Sequence, residues 1–430
     1  MITYYFPPRP GIASLRLRGL AKYLPEFGWD VVVLTPELPD MPEPRYDVVQ
    51  TDYPGEATDV WKKRFGLGTD KRLQDQVGIP RAISESKYSP VLKAINLLRA
   101  VIAFPDEQRG WLRPATQAGM RLLAENRFDA IISSHRPPTC HRIAKALKER
   151  HDVPWIADFR DLWTQDHFFP YVTRVRAIRT MERRLEIKTL ENADALVTVS
   201  EPLAEELRSL HRGKKVVSIP NGFDPDEVVP APLTEKFTIT YTGLTYLGKR
   251  DPSPLLRAVS ELVAERKLDR QSISIRFYGT IEYWLEREIE RLGLDDVVAL
   301  YPQVPRAVAL DRQRESQVLL LLNWDHPGEV GVYTGKLFEY LAARRPILAI
   351  GKPGGVVDEL LRETGAGIYP PGYEQLKGVL EDLYNQYRAL GYVPFTGIEE
   401  KIARYSHKEM ARRFAALMDE LSHGRSRAQD

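Results

Sequence analysis

The strongest constraint in this 430-residue chain is a rhythm. Short β-branched runs alternate with helical stretches, twice over, on either side of one proline-rich break. Before the break, Ile2–Phe6, Asp30–Thr35, Ala130–Ser133, Trp155–Asp158, Ala195–Val199 and Val216–Ile219 read as strands. After it, Phe237–Thr242, Ser272–Tyr278, Val297–Leu300, Val318–Leu322, Pro346–Ile350 and Gly367–Tyr369 do. The run Asp30–Thr35 is apolar almost throughout, as a strand is when helices cover both faces of its sheet. Between strands the period changes: Leu17, Leu20, Ala21 and Leu24 fall on one helical face. Strands separated by crossover helices predict parallel, doubly wound sheets, hence an α/β fold of two Rossmann-like domains.

The break itself, Pro225–Pro232, has three prolines in eight residues and no helical period, and reads as a linker. The expected organisation is therefore a first domain over 1–224, a linker over 225–235 and a second domain over 236–406. A closing segment, 407–430, is expected to pack its His407–Leu421 helix back on the first domain, with His423–Asp430 as a frayed tail. Residues 52–113 interrupt the rhythm and read as a helical insertion. Within it, Val91–Phe104 is apolar on more than one face, with Lys87, Lys93, Arg99 and Lys62-Lys63-Arg64 nearby. Such a helix either packs against the N-terminal sheet or meets an anionic membrane surface. The first strand begins almost at residue 1, which leaves room for a native start a few residues upstream.

Composition narrows the function. Lys and Arg number 61 against 59 for Asp and Glu, a net charge of +2 that excludes a globally basic nucleic-acid binder. The single cysteine, Cys140, excludes an intramolecular disulfide and a cysteine-rich zinc site. No apolar run reaches the roughly 18–20 residues that span a bilayer, and the N-terminus has no signal-peptide pattern. A cytoplasmic protein is expected, with peripheral contact at the inner face of the membrane where the insertion meets lipid.

The candidate chemistry lies at strand ends. Gly11 separates the first strand from the first helix, a ligand position in open α/β sheets and equally a turn glycine. No G-x-G-x-x-G or G-x-x-x-x-G-K-[ST] is present, which disfavours a dinucleotide dehydrogenase and a P-loop NTPase. His135 follows the strand at 130–133 and is either a hydrogen-bonding or general-base group or a surface-loop histidine. Asp158 and Asp161 flank Arg160 and either bind a polar substrate or form an internal ion pair with a helix cap. Asp224-x-Asp226 reads as turn chemistry rather than a metal site. In the second half, Gly243 ends a strand, with Lys249 and Arg250 just beyond. Lys336 sits in the first turn of the helix expected over Lys336–Arg344, where main-chain N–H groups and an ammonium face one anion. Glu339, one turn on, can accept hydrogen bonds from ribose hydroxyls; the alternative is an exposed Lys–Glu pair.

Together these residues resemble the nucleotide-sugar glycosyltransferases of the GT-B fold, especially glycosyltransferase family 4, over nearly the whole chain. Tyr4-Tyr5-Phe6-Pro7-Pro8, Gly11 and Arg18–Leu24 are similar to the opening of the family's acceptor domain. Trp155–Trp163, Val197–Ser200 and Ile219–Asp224 are similar to later landmarks, and Lys336–Ala343 to the donor-domain helix. The resemblance implies two Rossmann-like domains facing a cleft. It also implies a retaining, metal-independent hexosyl transfer from a nucleotide-diphosphate sugar to a glycan or lipid-linked acceptor, as in polysaccharide biosynthesis, with no cofactor and no nucleic acid. It makes His135 a candidate catalytic residue and Gly243, Lys249 and Glu339 candidate donor-binding residues; the reading of the strand ends adds Asp161 to the first group, and Gly11 and Lys336, the latter in place of a missing cation, to the second. Two positions depart from the family: Leu244 stands where many members carry an arginine, and Gly331 where the first glutamate of E-x7-E belongs, with Glu329 nearby. They motivate an alternative, a GT-B protein that binds a nucleotide sugar or glycan without turnover. An epimerase or phosphorylase on the same fold is a third reading.

Overall fold

The computed structural model describes residues 1–9, 11–40, 43–64, 97–98, 100–166, 176–246, 248–279 and 282–429. Twelve strands form among them: β1 (Val32–Pro36), β2 (Asp47–Thr51), β3 (Ile131–His135), β4 (Trp155–Phe159), β5 (Ala195–Thr198), β6 (Lys215–Ser218), β7 (Phe237–Thr242), β8 (Ile273–Tyr278), β9 (Val298–Tyr301), β10 (Val318–Leu322), β11 (Ile347–Ile350) and β12 (Gly367–Ile368). Every pairing between them is parallel, so the chain crosses back over its sheet between neighbours. The described chain divides into two compact units, Met1–Ile219 with Ala411–Asp430, and Pro220–Met410.

In the first unit, β2 and β1 form one ribbon and β3-β4-β5-β6 another. Ile2 joins them through single parallel bridges to Leu34 and Ser133. Its N–H donates to Ile132 O at 2.7 Å and its carbonyl accepts from Ser134 N at 3.0 Å. The expected strand Ile2–Phe6 is therefore reduced to this one bridging position. The proline pair Pro7-Pro8 and the turn that follows lead the chain out of the sheet. β2 was not expected from the sequence. It is an edge strand with only exposed and half-buried residues and lacks the continuous apolar run of β1.

The second unit orders its sheet β12-β11-β10-β7-β8-β9. Apolar layers built from Leu255, Leu256, Val259 and Leu262 on one side and Leu337, Leu341, Leu360 and Leu361 on the other enclose it. Phe223 belongs to this second core and its N–H donates to Tyr405 O, so the division at Ile219–Pro220 falls ahead of the boundary expected at 224. Asp224 accepts from Asp226 N at 3.1 Å and opens a short helical turn, Pro225–Glu227, which is the turn chemistry that Asp-x-Asp suggested. The closing helix runs from His407 to Gln429, past the end expected at Leu421, so His423–Gln429, read as part of a frayed tail, continue it. Half of Val91–Phe104, including Lys93 and Arg99, lies outside the described residues, as does Lys87.

One buried ion pair ties the first unit together. Arg16, on the helix Ile12–Tyr23, forks onto Asp158 at the end of β4, with Nε 3.1 Å from both carboxylate oxygens and Nη2 2.8 Å from Oδ1. The side chains are 1% and 0% exposed. Ser134 Oγ donates to the same carboxylate at 3.1 Å, and Arg16 Nη2 also reaches Ile219 O at 3.1 Å. Of the two readings open for Asp158, the structure takes the internal ion pair, and Arg16 rather than Arg160 is the partner. Removing one member strands the other charge without water. Arg16→Met is therefore expected to lower stability by about 3–5 kcal/mol. The double variant R16M/D158L should recover part of that loss. Urea unfolding followed by circular dichroism checks both, and costs that simply add would show the pair to be uncoupled.

Candidate active site

In an open α/β sheet the crevice lies where neighbouring strands leave in opposite directions. In the second unit that point is between β7 and β10. Gly243 follows β7 with φ +146, a conformation that side chains rarely adopt, and its N–H donates to Tyr278 O at 2.7 Å. A methyl group at 243 would collide with Cε and Nζ of Lys336, which lies across the glycine from the first turn of the helix Gly335–Ala343. The Lys336 ammonium is 5.3 Å from the centre of the Tyr241 ring. Burial first, then the positive charge of Arg250, lower its pKa from 10.5 to about 7, against a smaller opposite pull from Glu339. Arg250 stacks on Tyr246 at 4.8 Å. Two cations thus share a poorly solvated place at the end of β7.

Around them, Thr245 Oγ1, Asn323 Oδ1, Thr334 Oγ1 and Gln313 Oε1 are buried and make no hydrogen bond among the described residues. A buried polar atom left unpaired costs about 1–3 kcal/mol, so a site lined with several is built for a polar ligand. Lys249 is exposed, with its ammonium 4.3 Å over the ring of Trp324, just past the end of β10. Trp324 in turn stacks on His326 at 4.4 Å. Glu339 holds Arg306 Nε at 3.1 Å and Gln313 Nε2 at 3.2 Å. Arg306 continues to Glu227 at 2.9 Å. The carboxylate expected to meet ribose is thus held by an arginine in this state.

In the first unit the corresponding point lies between Ile2 and β3, because the chain starts in the middle of the sheet and β1 and β3 flank it. His135 ends β3 and is buried rather than a surface-loop residue. Its Nδ1 is 2.7 Å from the carbonyl of Asp161, which can only accept, so Nδ1 carries the proton. Nε2 then keeps a lone pair, and it has no partner among the described residues. The ring is stacked between His141, at 5.8 Å, and Trp163, at 6.0 Å. Burial above all holds its pKa well below 6.5, so the imidazole is neutral.

The loop that supplies the Asp161 carbonyl is pinned from behind by the helix Arg176–Leu190. Glu182 accepts from Trp163 Nε1 at 3.2 Å, and Glu186 accepts from Thr164 N at 3.1 Å. The Asp161 carboxylate itself is exposed and 3.3 Å from Arg160 Nε, so this residue reaches His135 through its main chain. Gly11 caps the helix Ile12–Tyr23 with φ +121, and a Cβ there would meet open space.

The structure brings Gly243 and Lys336 into contact, sets Glu339 one turn along the same helix, and places Lys249 on the aromatic pair beyond β10. Arg250 was legible only as the neighbour of Lys249. Arg306 gave no sequence signal, since it reaches Glu339 from a different strand-to-helix junction. Glu182 and Glu186 read in the sequence only as charged positions on a helix.

Residues 13–227 match the model of a family described as Glycosyltransferase Family 4. Among solved structures, the chain is similar to a sucrose-phosphate synthase from Thermosynechococcus elongatus, at 14% identity and TM-score 0.61 over 98% of each chain. It is also similar to a trehalose-6-phosphate synthase, at 12% identity and TM-score 0.58, over 97% of this chain and 98% of that one. Anabaena HepE, solved in complex with UDP, is similar at 12% identity and TM-score 0.57 over the same shares. At such identities the likeness shows the fold: two Rossmann-like α/β units, the GT-B fold. No curated protein matches in sequence.

The Lys336 shift carries a sign. Between about pH 7 and 10.5 the unfolded lysine holds a proton that the folded one has lost, so stability rises with pH across that window. An anion bound beside it reverses the balance and draws the proton back. Binding of a nucleotide-diphosphate sugar, whose diphosphate does not titrate in this range, is therefore expected to take up a proton at pH 8 and to weaken toward pH 9. Lys336→Met should abolish the uptake and flatten both profiles. Calorimetry in buffers of different ionisation enthalpy measures it, and unchanged uptake in the variant would remove Lys336 from the site.

Proposed function

The chain belongs to glycosyltransferase family 4, and from that premise we propose that it transfers a hexosyl group from a nucleotide-diphosphate sugar to a glycan or lipid-linked acceptor, with retention and without a metal ion. The observation that carries the donor assignment is Lys336, lying across Gly243 at the switch point of the second sheet, with the positive charge of Arg250 near enough to lower its pKa. Their mutual repulsion and poor solvation are relieved by a diphosphate, whose charge grows as the glycosidic bond breaks. Lys249, on the rim of the same crevice, adds a third positive charge. In this reading the bond from the anomeric carbon to the phosphate oxygen breaks while the acceptor oxygen bonds to the same face. The acceptor proton passes to the leaving phosphate. Glu339 receives the donor ribose once Arg306 gives way, and Gly11 lets main chain approach the donor.

His135 is the proposed group at the reacting sugar. Neutral, fixed by the Asp161 carbonyl and carrying an unpaired Nε2, it is prepared to accept a hydrogen bond from a hydroxyl. Asp161 acts on it as a positioning residue through that carbonyl. No helix among the described residues is long and apolar enough to cross a membrane. A cytoplasmic enzyme working in polysaccharide biosynthesis, in peripheral contact with the inner face of the membrane, is the setting we propose.

The test is a panel of UDP-, GDP-, ADP- and dTDP-sugars offered with a lipid and oligosaccharide acceptor extract. One donor is expected to stabilise the protein against heat and to be consumed with transfer. His135→Ala should then lower kcat roughly 100-fold with donor affinity kept. Binding without turnover would replace this proposal with that of a nucleotide-sugar binding protein, and wild-type kcat in the variant would take His135 out of the reaction.

A further inference from the structure

A cavity of 510 Å³ opens on the helical layer of the first unit, between the helices Leu112–Glu125, Thr139–Lys148 and Arg176–Leu190. It lies on helix flanks, whereas the candidate catalytic residues lie at strand ends. Each helix brings cations to it: Arg113 from the first, Arg142 and Lys145 from the second, Lys188 from the third. Glu149 is the sole carboxylate in the lining, and Lys145 already holds it at 3.5 Å. Arg113, Arg142 and Lys188 form no ion pair among the described residues. Other basic side chains on helices, such as Arg257, Arg287, Arg291 and Arg314, pair with a carboxylate three or four residues away. Arg142 is half-buried, and the Asp106 carboxylate, outside the lining, offsets only part of what burial costs its charge. Thr116 Oγ1, also in the lining, is buried and unpaired. Between the cations the walls are apolar: Leu112, Ala146 and Leu185.

We propose that this cavity binds an anionic amphiphile, a phosphate-bearing head group held by Arg113, Arg142 and Lys188 with its apolar part against Leu112, Ala146 and Leu185. The volume exceeds what a bare phosphate fills, and a purely apolar ligand would make no use of the three cations that line it. The assignment is independent of the glycosyl-transfer reading, because it uses none of the residues placed in the donor or reacting sites. The same head-group chemistry is presented by a membrane phospholipid and by a soluble phosphorylated lipid.

Calorimetric titration with dihexanoyl phosphatidic acid, kept below its micelle concentration, is the first arm. Saturable one-to-one binding is expected, tighter than that of inorganic phosphate or of dihexanoyl phosphatidylcholine. Lys188→Gln and Arg142→Gln should each weaken it roughly tenfold, the size of one charge-assisted hydrogen bond. Leu185→Asp should weaken the lipid without changing the affinity for phosphate. Lys188 is exposed, so its variant keeps the test valid if Arg142→Gln fails to fold. Sedimentation with phosphatidylglycerol vesicles, against phosphatidylcholine vesicles, then separates the sources. Pelleting that Lys188→Gln abolishes assigns the site to a bilayer, and binding of the short-chain lipid alone assigns it to a soluble ligand. Equal affinity for inorganic phosphate and the lipid, equal affinity for phosphatidylcholine, or full binding by Lys188→Gln would each overturn the proposal.

Discussion

The Arg16–Asp158 fork is the contact on which the first unit's site depends. A buried carboxylate loses its hydration, and only a partner with several correctly spaced donors replaces it. Arg16 does so from the first helix, Ser134 Oγ adds a bond from the residue before His135, and the second guanidinium nitrogen reaches Ile219. Four separate segments are thereby fixed at one point: the first helix, the ends of β3 and β4, and the exit from β6. Such a pair adds little net stability over apolar packing, but it admits one arrangement, because any slip leaves a charge unpaired. His135 inherits that precision. Its neighbour anchors to Asp158, and its own Nδ1 anchors to the loop that follows β4.

The second unit is organised by the opposite condition, an electrostatic imbalance left in place. Lys336 loses solvation under Tyr241 and beside Arg250, while Glu339, which could neutralise it, is engaged by Arg306 and Gln313. Gly243 is what permits this, since any side chain there would occupy the lysine's path. The unpaired oxygens of Thr245, Asn323 and Thr334 lie in the loops after β7 and β10 and at the start of the Gly335–Ala343 helix, all at the same end of the sheet. Crowded cations and unpaired acceptors are affordable where a ligand supplies both anionic oxygens and hydroxyl donors, as a nucleotide-diphosphate sugar does.

The alternation of β-branched runs and helical periods determined most strands, their parallel pairing and the two α/β units, because burial on both faces writes a strand directly into local composition, while the GT-B fold was implied by the motifs that resemble family 4. Where burial is partial the writing fades: β2, with no fully buried residue, left no run to read, and Ile2 joins the two ribbons of the sheet with one residue. Motif spacing determined which residues are candidates, His135, Lys336 and Glu339 among them, since a residue just past a strand lies at the carboxyl edge in any doubly wound sheet. Only the tertiary structure decided what each can do. It protonated His135 at Nδ1 by setting a carbonyl 2.7 Å away, turned Asp158 to Arg16, left the Asp161 carboxylate in water, and put Arg250 beside Lys336. Those outcomes depend on partners far apart in the chain, 142 residues for Arg16 and Asp158, and on how much water each group keeps. Both are properties of packing, which the order of residues specifies only through the whole fold.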